Sequence, residues 1–133
     1  MAEHMTDHRV RFHELDPYDH VNHAMYVTYF EIGRVDALDA LQLGLDVLKV
    51  EGFQFVVSRI DVRFRAAATA GNDLVIFTGV SKFGCASTIW QQSIRRGEEL
   101  IATAEVTVAV TDRTGKPVRP EPYILERLQP IAT

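Results

Sequence analysis

One cysteine, Cys85, stands in 133 residues. A lone thiol cannot close an internal disulfide, so nothing here points to an oxidising compartment. Long apolar runs are missing too, and no stretch approaches the ~20 residues that cross a bilayer. The opening from Met1 to His8 is polar and lacks the apolar core of a signal peptide. Residues 1–8 are therefore expected to be disordered or tag-derived. Positive charge is not in surplus: the formal net charge is −4, which argues against nonspecific nucleic-acid binding. There is no internal repeat and no low-complexity tract. These absences leave an expected single cytoplasmic domain over 1–133, with no nucleic-acid partner and no membrane role.

What is present is an ordinary globular composition, 47% hydrophobic, laid out in readable periods. Arg9 to Leu15 alternates in part and predicts a first strand. Pro17 cannot donate to a ladder, so that strand ends near Asp16. From His23 to Gln42 the spacing predicts a helix, with Tyr26, Tyr29, Phe30, Gly33, Ala37, Ala40 and Leu41 on one face. Gly33 in that face costs ~1 kcal/mol relative to Ala, which predicts a close approach of helix and sheet. Gly44 closes the helix, and a connector runs to about Gly52.

Four strands follow. Ser58 to Arg65 sets Ile60, Val62 and Phe64 against Arg59, Asp61, Arg63 and Arg65. Leu74 to Lys82, Ala86 to Arg96 and Leu100 to Thr111 complete the set, with turns at Gly71-Asn72-Asp73, Gly84 and Arg96-Gly97-Glu98. Pro122 to Leu128 reads as a short closing helix. Short turns demand antiparallel neighbours, and a helix on one face of such a sheet defines an α+β fold. One helix cannot cover both faces, so a second subunit is expected on the other face or along an edge.

The chemistry gathers in Asp16-Pro17-Tyr18-Asp19-His20-Val21-Asn22-His23, where a carboxylate on a tight turn feeds the start of the long helix. A helix start offers unpaired N–H groups and the positive end of its dipole. Beside a carboxylate, those donors suit hydrolysis of an activated acyl group. The amides near His23 and Ala24 are the expected oxyanion donors. Asn22 suits a helix cap, and it also suits positioning of water or the substrate carbonyl.

The opening strand, the Leu15-Asp16-Pro17-Tyr18-Asp19-His20-Val21-Asn22-His23-Ala24-Met25-Tyr26 run, Glu31-Ile32-Gly33-Arg34 and the Gly115-Lys116-Pro117 turn resemble the hotdog-fold acyl-CoA thioesterases. The 4-hydroxybenzoyl-CoA thioesterase type is the nearest group. The resemblance runs from about Arg9 to Arg119. It implies an antiparallel five-stranded sheet wrapped around one long central helix, and hydrolysis of an acyl-CoA or acyl-carrier-protein thioester. It also implies a homodimer or a homotetramer built as a dimer of dimers. Asp16 matches the family's catalytic carboxylate, either attacking the thioester or deprotonating a water. Many relatives carry a second Asn where this chain has His23. No cofactor is implied beyond the coenzyme A of the substrate.

Other polar residues are weighed against plainer roles. His13, Asp19, His20 and His23 lack the i, i+4 spacing of a helical zinc site, so no metal is expected; His20 is read as bonding the turn and His23 as lining the pocket. Glu31 stands second as a helix carboxylate, with pairing to Arg34 as its plain role. Arg59, Arg63, Arg65 and Lys82 suit the phosphates of coenzyme A, or simply a solvated sheet face. Phe53, Phe55, Phe64, Phe77 and Trp90 are expected in the core, one or two of them lining an acyl tunnel. Cys85 has no electropositive setting and reads as inert. Two other classes stay open: a hydroxyacyl-thioester dehydratase using Asp19 and His20, and an acyl-CoA binding module without turnover.

Overall fold

The computed structural model describes residues 3–133. Its strands are β1 (His4–Arg9), β2 (Phe53–Phe64), β3 (Asp73–Phe83), β4 (Ser87–Arg96) and β5 (Glu99–Asp112); its helices are α1 (His23–Ala40), α2 (Leu45–Glu51) and α3 (Pro122–Leu128). The strands form one antiparallel sheet in the order β1-β3-β4-β5-β2. The α+β arrangement of five strands and one long helix stands as expected.

Alternation decides which face of each strand meets α1. Leu74, Ile76, Thr78 and Val80 on β3, Thr88, Trp90, Gln92 and Ile94 on β4, and Ala104, Val106, Val108 and Val110 on β5 are all buried. Tyr29, Phe30 and Ala37 of α1, at 0% exposure, complete this layer. A Cβ on Gly33 would lie 2.7 Å from Ile76 Cγ2 and 2.9 Å from Thr78 Oγ1. The expected close approach of helix and sheet is therefore present, and no larger side chain fits there without movement.

Four sequence expectations change. The first strand is His4–Arg9, which pairs with β3; Phe12–Glu14 is a 3-10 turn. Residues 4–8 are thus part of the fold and not a disordered leader, while residues 1 and 2 lie outside the described residues. The hydrophobic pattern missed β1 because its inward residues are polar. His4 and Thr6 both bond Asp36 of α1 at 2.7 Å. The long helix stops at Ala40, where Gln42 takes a left-handed φ of 59°. Gly44 does not close it; Gly44 opens α2, which occupies the supposed connector. β2 starts at Phe53, five residues earlier than Ser58, with a bulge between Val57 and Arg59. No helix among the described residues is long and apolar enough to cross a membrane.

Candidate active site

The turn after the 3-10 segment builds the site. Asp16 N–H donates to the His20 carbonyl at 2.7 Å, and Asp19 N–H donates to the Asp16 carbonyl at 3.1 Å. Asp19 closes this loop with a left-handed φ of 63°, a conformation Asp tolerates better than most residues. Asp16 Oδ1 accepts the N–H groups of Tyr18 (2.8 Å) and His20 (3.2 Å). This local bonding is what Asp does well at the head of a turn. Among the described residues the second oxygen, Oδ2, accepts nothing, so one oxygen holds the turn and the other stays available.

Asn22 then caps α1, its Oδ1 accepting Ala24 N–H at 2.9 Å. Met25 N–H reaches the Asn22 carbonyl at 2.8 Å. The His23 N–H is left without an acceptor among the described residues. Of the two amides expected to meet an oxyanion, Ala24 is already engaged and His23 is not.

Asp16 and His23 line one cleft of about 350 Å³, with His20, Val21, Tyr26 and the segment Phe64-Arg65-Ala66-Ala67 as its other walls. That far wall is stitched to the turn. Val21 N–H donates to the Ala68 carbonyl at 2.9 Å, and Ala68 N–H donates to the buried Tyr26 hydroxyl at 3.2 Å. Arg96 holds it from behind through the Ala67 carbonyl at 3.1 Å. Tyr26 meets Phe64 edge-on, with ring centroids 5.3 Å apart. Phe64 is 52% exposed, so a large apolar ring faces the open side of the cleft.

Beneath the turn lies a buried polar knot. Glu14 Oε1 accepts the Tyr29 hydroxyl (2.8 Å), the Arg11 N–H (2.8 Å) and His8 Nε2 (3.1 Å). Burial pushes the Glu14 carboxyl up, but the bonds from Arg11, Tyr29 and His8 outweigh it and hold the group below its usual value. Burial, reinforced by Glu14, pushes the Tyr29 hydroxyl far above the usual tyrosine range, so it remains a donor.

A second cavity of about 260 Å³ opens between α1, α2 and β2. Its walls are mainly apolar, with Leu38, Leu45, Phe55, Val57 and Trp90 among them, and Arg34 and Glu31 also contribute.

Residues 10–128 match the model of the thioesterase-like superfamily. The chain belongs to that superfamily. It is 29% identical over 127 residues to the long-chain acyl-CoA thioesterase FadM of Escherichia coli, covering 93% of this chain and 96% of that protein. It is 25% identical over 118 residues to the chloroplastic acyl-acyl carrier protein thioesterase ATL2 of Arabidopsis thaliana. There it covers 87% of this chain and 63% of the relative, so the chain spans less than two thirds of that plant protein. A solved structure, a probable thioesterase from Bartonella henselae, is 33% identical with a TM-score of 0.86, covering 90% of this chain and 100% of that one. The hotdog fold expected from the sequence is therefore the fold of this superfamily member.

The structure sorts the remaining sequence candidates of this thioesterase-family chain. His20 bonds the turn through its main chain, and its exposed side chain lines the cleft. Glu31 is at the second cavity, away from Asp16, and forms no ion pair with Arg34. Arg34 is buried and donates to Gln92 instead. Arg59 and Arg63 lie opposite Thr107 and Thr103, on the sheet face turned away from α1. Lys82 shares that face and the transverse row Lys82–Ile89–Thr107–Arg59, roughly 14 Å from Arg59 at ~4.8 Å per strand. Arg65 alone of the four reaches the cleft. Among the described residues no group of three His, Cys, Asp or Glu is placed to hold a metal. Sequence reasoning missed Tyr26 and the Ala66-Ala67 wall. Tyr26 has the helical spacing of a core residue, and the wall is a featureless alanine run with no local signal.

Proposed function

We propose that this chain hydrolyses acyl-CoA thioesters with Asp16 as the catalytic carboxylate. The observation that carries the reading is that Asp16 and the helix-start residue His23 line the same cleft, the one with an oxygen and the other with an N–H that is unoccupied among the described residues. The thioester carbonyl sits between them. Asp16 either adds its oxygen to the carbonyl carbon or takes a proton from a water that does so. In both routes the oxyanion falls to the His23 N–H at the positive end of α1. The carbon–sulfur bond then breaks and the thiolate of coenzyme A leaves. After direct attack, water opens the Asp16 mixed anhydride and restores the carboxylate.

The surroundings support the same reading. Phe64 and Tyr26 give the acyl group an apolar entry, and the cavity bounded by Phe55 and Trp90 gives its far end a place further along the α1–β2 seam. Arg65 at the cleft meets the phosphates of coenzyme A. β2 is an uncovered sheet edge carrying exposed Val56 and Val57. Pairing of two such edges makes a homodimer and removes the open ladder. FadM is named for long-chain acyl-CoA, and a long chain suits this seam. A dehydratase is less well supported, because Asp19 and His20 share no side-chain hydrogen bond among the described residues.

Thiol release from a panel of acyl-CoA substrates tests the proposal. Turnover is expected in the wild type, with a loss of about 10³-fold or more in Asp16→Asn. Undiminished turnover in that variant sinks the assignment of Asp16. Water loss from a 3-hydroxyacyl-CoA without thiol release points to the dehydratase, and binding without turnover points to the module.

A further inference from the structure

We propose that Glu14 is the positioning residue that sets Asp16 against the start of α1. The inference rests on the thioesterase reading above. Glu14 is 5% exposed, and its side chain gathers donors from three separate elements. Arg11 N–H (2.8 Å) comes from the approach to the turn, His8 (3.1 Å) from β1, and the Tyr29 hydroxyl (2.8 Å) from the middle of α1. Its carbonyl accepts Asn22 N–H at 2.9 Å, and Asn22 is the cap of α1.

One residue therefore grips both ends of the catalytic loop. Asp16 lies two positions after Glu14, and His23 one position after Asn22. The bonds that Asp16 makes to Tyr18 and His20 are internal to the loop and do not fix its distance from the helix. The Leu15–Val21 bridge closes the loop on itself, and the Val21–Ala68 bond ties it to the far wall. Glu14 ties the loop to the body of α1 through Tyr29. A buried carboxylate is a poor way to gain stability, since its desolvation offsets most of what its bonds return. It is a good way to hold one geometry, because every donor around it is directional. Hydrolysis is sensitive to that geometry: a displacement of ~1 Å at reacting groups costs on the order of 10²-fold.

Steady-state kinetics on an acyl-CoA that the wild type hydrolyses, read by thiol release, tests this. Glu14→Ala is expected to lower kcat by roughly thirty- to a hundredfold with KM within about threefold. Glu14→Gln keeps an acceptor for the three donors and should recover kcat to within about fivefold of wild type; Tyr29→Phe falls between. Backbone amide exchange at Val21, Asn22 and Ala24 should quicken in Glu14→Ala and stay at the wild-type rate in Asp16→Asn. If Glu14→Ala fails to fold, the Glu14→Gln and Tyr29→Phe pair carries the test. A kcat within twofold of wild type in Glu14→Ala, or in Tyr29→Phe where Glu14→Ala does not fold, overturns the proposal. So does a folded Glu14→Gln as impaired as Glu14→Ala. Full activity in Asp16→Asn defeats the catalytic assignment instead, and the exchange rates at Val21, Asn22 and Ala24 then still decide whether Glu14 is the tether.

Discussion

Gln92 Oε1 accepts the guanidinium of Arg34 at 3.0 Å, inside the layer between the sheet and α1. The same side chain donates from its nitrogen to the Phe30 carbonyl (2.8 Å) and to Thr78 (3.0 Å). Two acceptors on the nitrogen side fix which end is oxygen, so the amide can meet the cation in one orientation only. Burial pushes the Arg34 pKa down and nearby Glu31 opposes that shift.

Replacing Gln92 by Leu strips three buried partners at once. The expected cost is about 3 kcal/mol, in line with leaving the buried charge of Arg34 without its acceptor. Thermal melting should show a fall of roughly 10 °C. A change under about 2 °C would mean the cation is satisfied by something other than Gln92.

Gly33→Ala sets two magnitudes against each other. Alanine gains ~1 kcal/mol in helix propensity, while overpacking a tight core costs typically 1–3 kcal/mol. The 2.7 Å approach to Ile76 lies well inside ordinary contact, so overpacking wins and the variant is expected to be less stable. Urea unfolding checks it, and a stabilised Gly33→Ala contradicts the packing argument.

The Glu14 carboxyl sets a pH dependence of known sign. Burial raises its pKa, but the bonds from Arg11, Tyr29 and His8 together leave it below the ordinary 4.5. A folded-state pKa that is depressed adds stability above the unfolded value and loses it as pH falls through the folded one. The stability gap between wild type and Glu14→Gln should hold from neutrality down to about pH 4.5 and narrow below it. Denaturant midpoints across that range measure the gap; widening on acidification contradicts the assignment.

Arg65→Ala should raise KM for an acyl-CoA about fivefold, as expected for one exposed contact worth ~1 kcal/mol. kcat should hold, and the effect should fade at high salt because the charge is solvent-exposed. Arg63→Ala, on the opposite sheet face, should leave KM within twofold. Equal effects from both substitutions would place the phosphates elsewhere.

Asn22→Ala removes the acceptor for Ala24 N–H. A lost N-cap costs about 1 kcal/mol, visible as a lower melting temperature. The freed Ala24 amide does not compensate in catalysis, because the first turn of α1 frays, so kcat should fall. A variant with unchanged melting temperature would show that the cap contributes nothing to stability.

Local pattern carried much of the architecture. Alternation over Ile60, Val62 and Phe64, and over Val106, Val108 and Val110, placed two strands with their facing, because a period of two belongs to the strand itself. The spacing of Tyr26, Tyr29, Phe30 and Ala37 placed the helix for the same kind of reason. Asn22 marked where the long helix starts, whereas Pro17 ended no strand, because β1 had already stopped at Arg9. α2 escaped notice because seven residues with one fully buried side chain, Leu48, leave almost no period to read.

By itself, then, the order of residues determined the turn that leads into the long helix, the carboxylate on that turn and the antiparallel strands that follow. These depend on neighbours within a few positions. Only the folded chain decided that His4, Thr6 and His8 face inward, that Glu14 grips both ends of the loop, and that Arg65 joins Asp16 while Arg59 and Arg63 do not. Arg65 N–H and Ala66 N–H both donate to the Ile101 carbonyl, which breaks the strand's alternation and releases Arg65 from the face its numbering implied. That break is made by two hydrogen bonds donated to a carbonyl on a strand more than thirty residues away, and no local period encodes it.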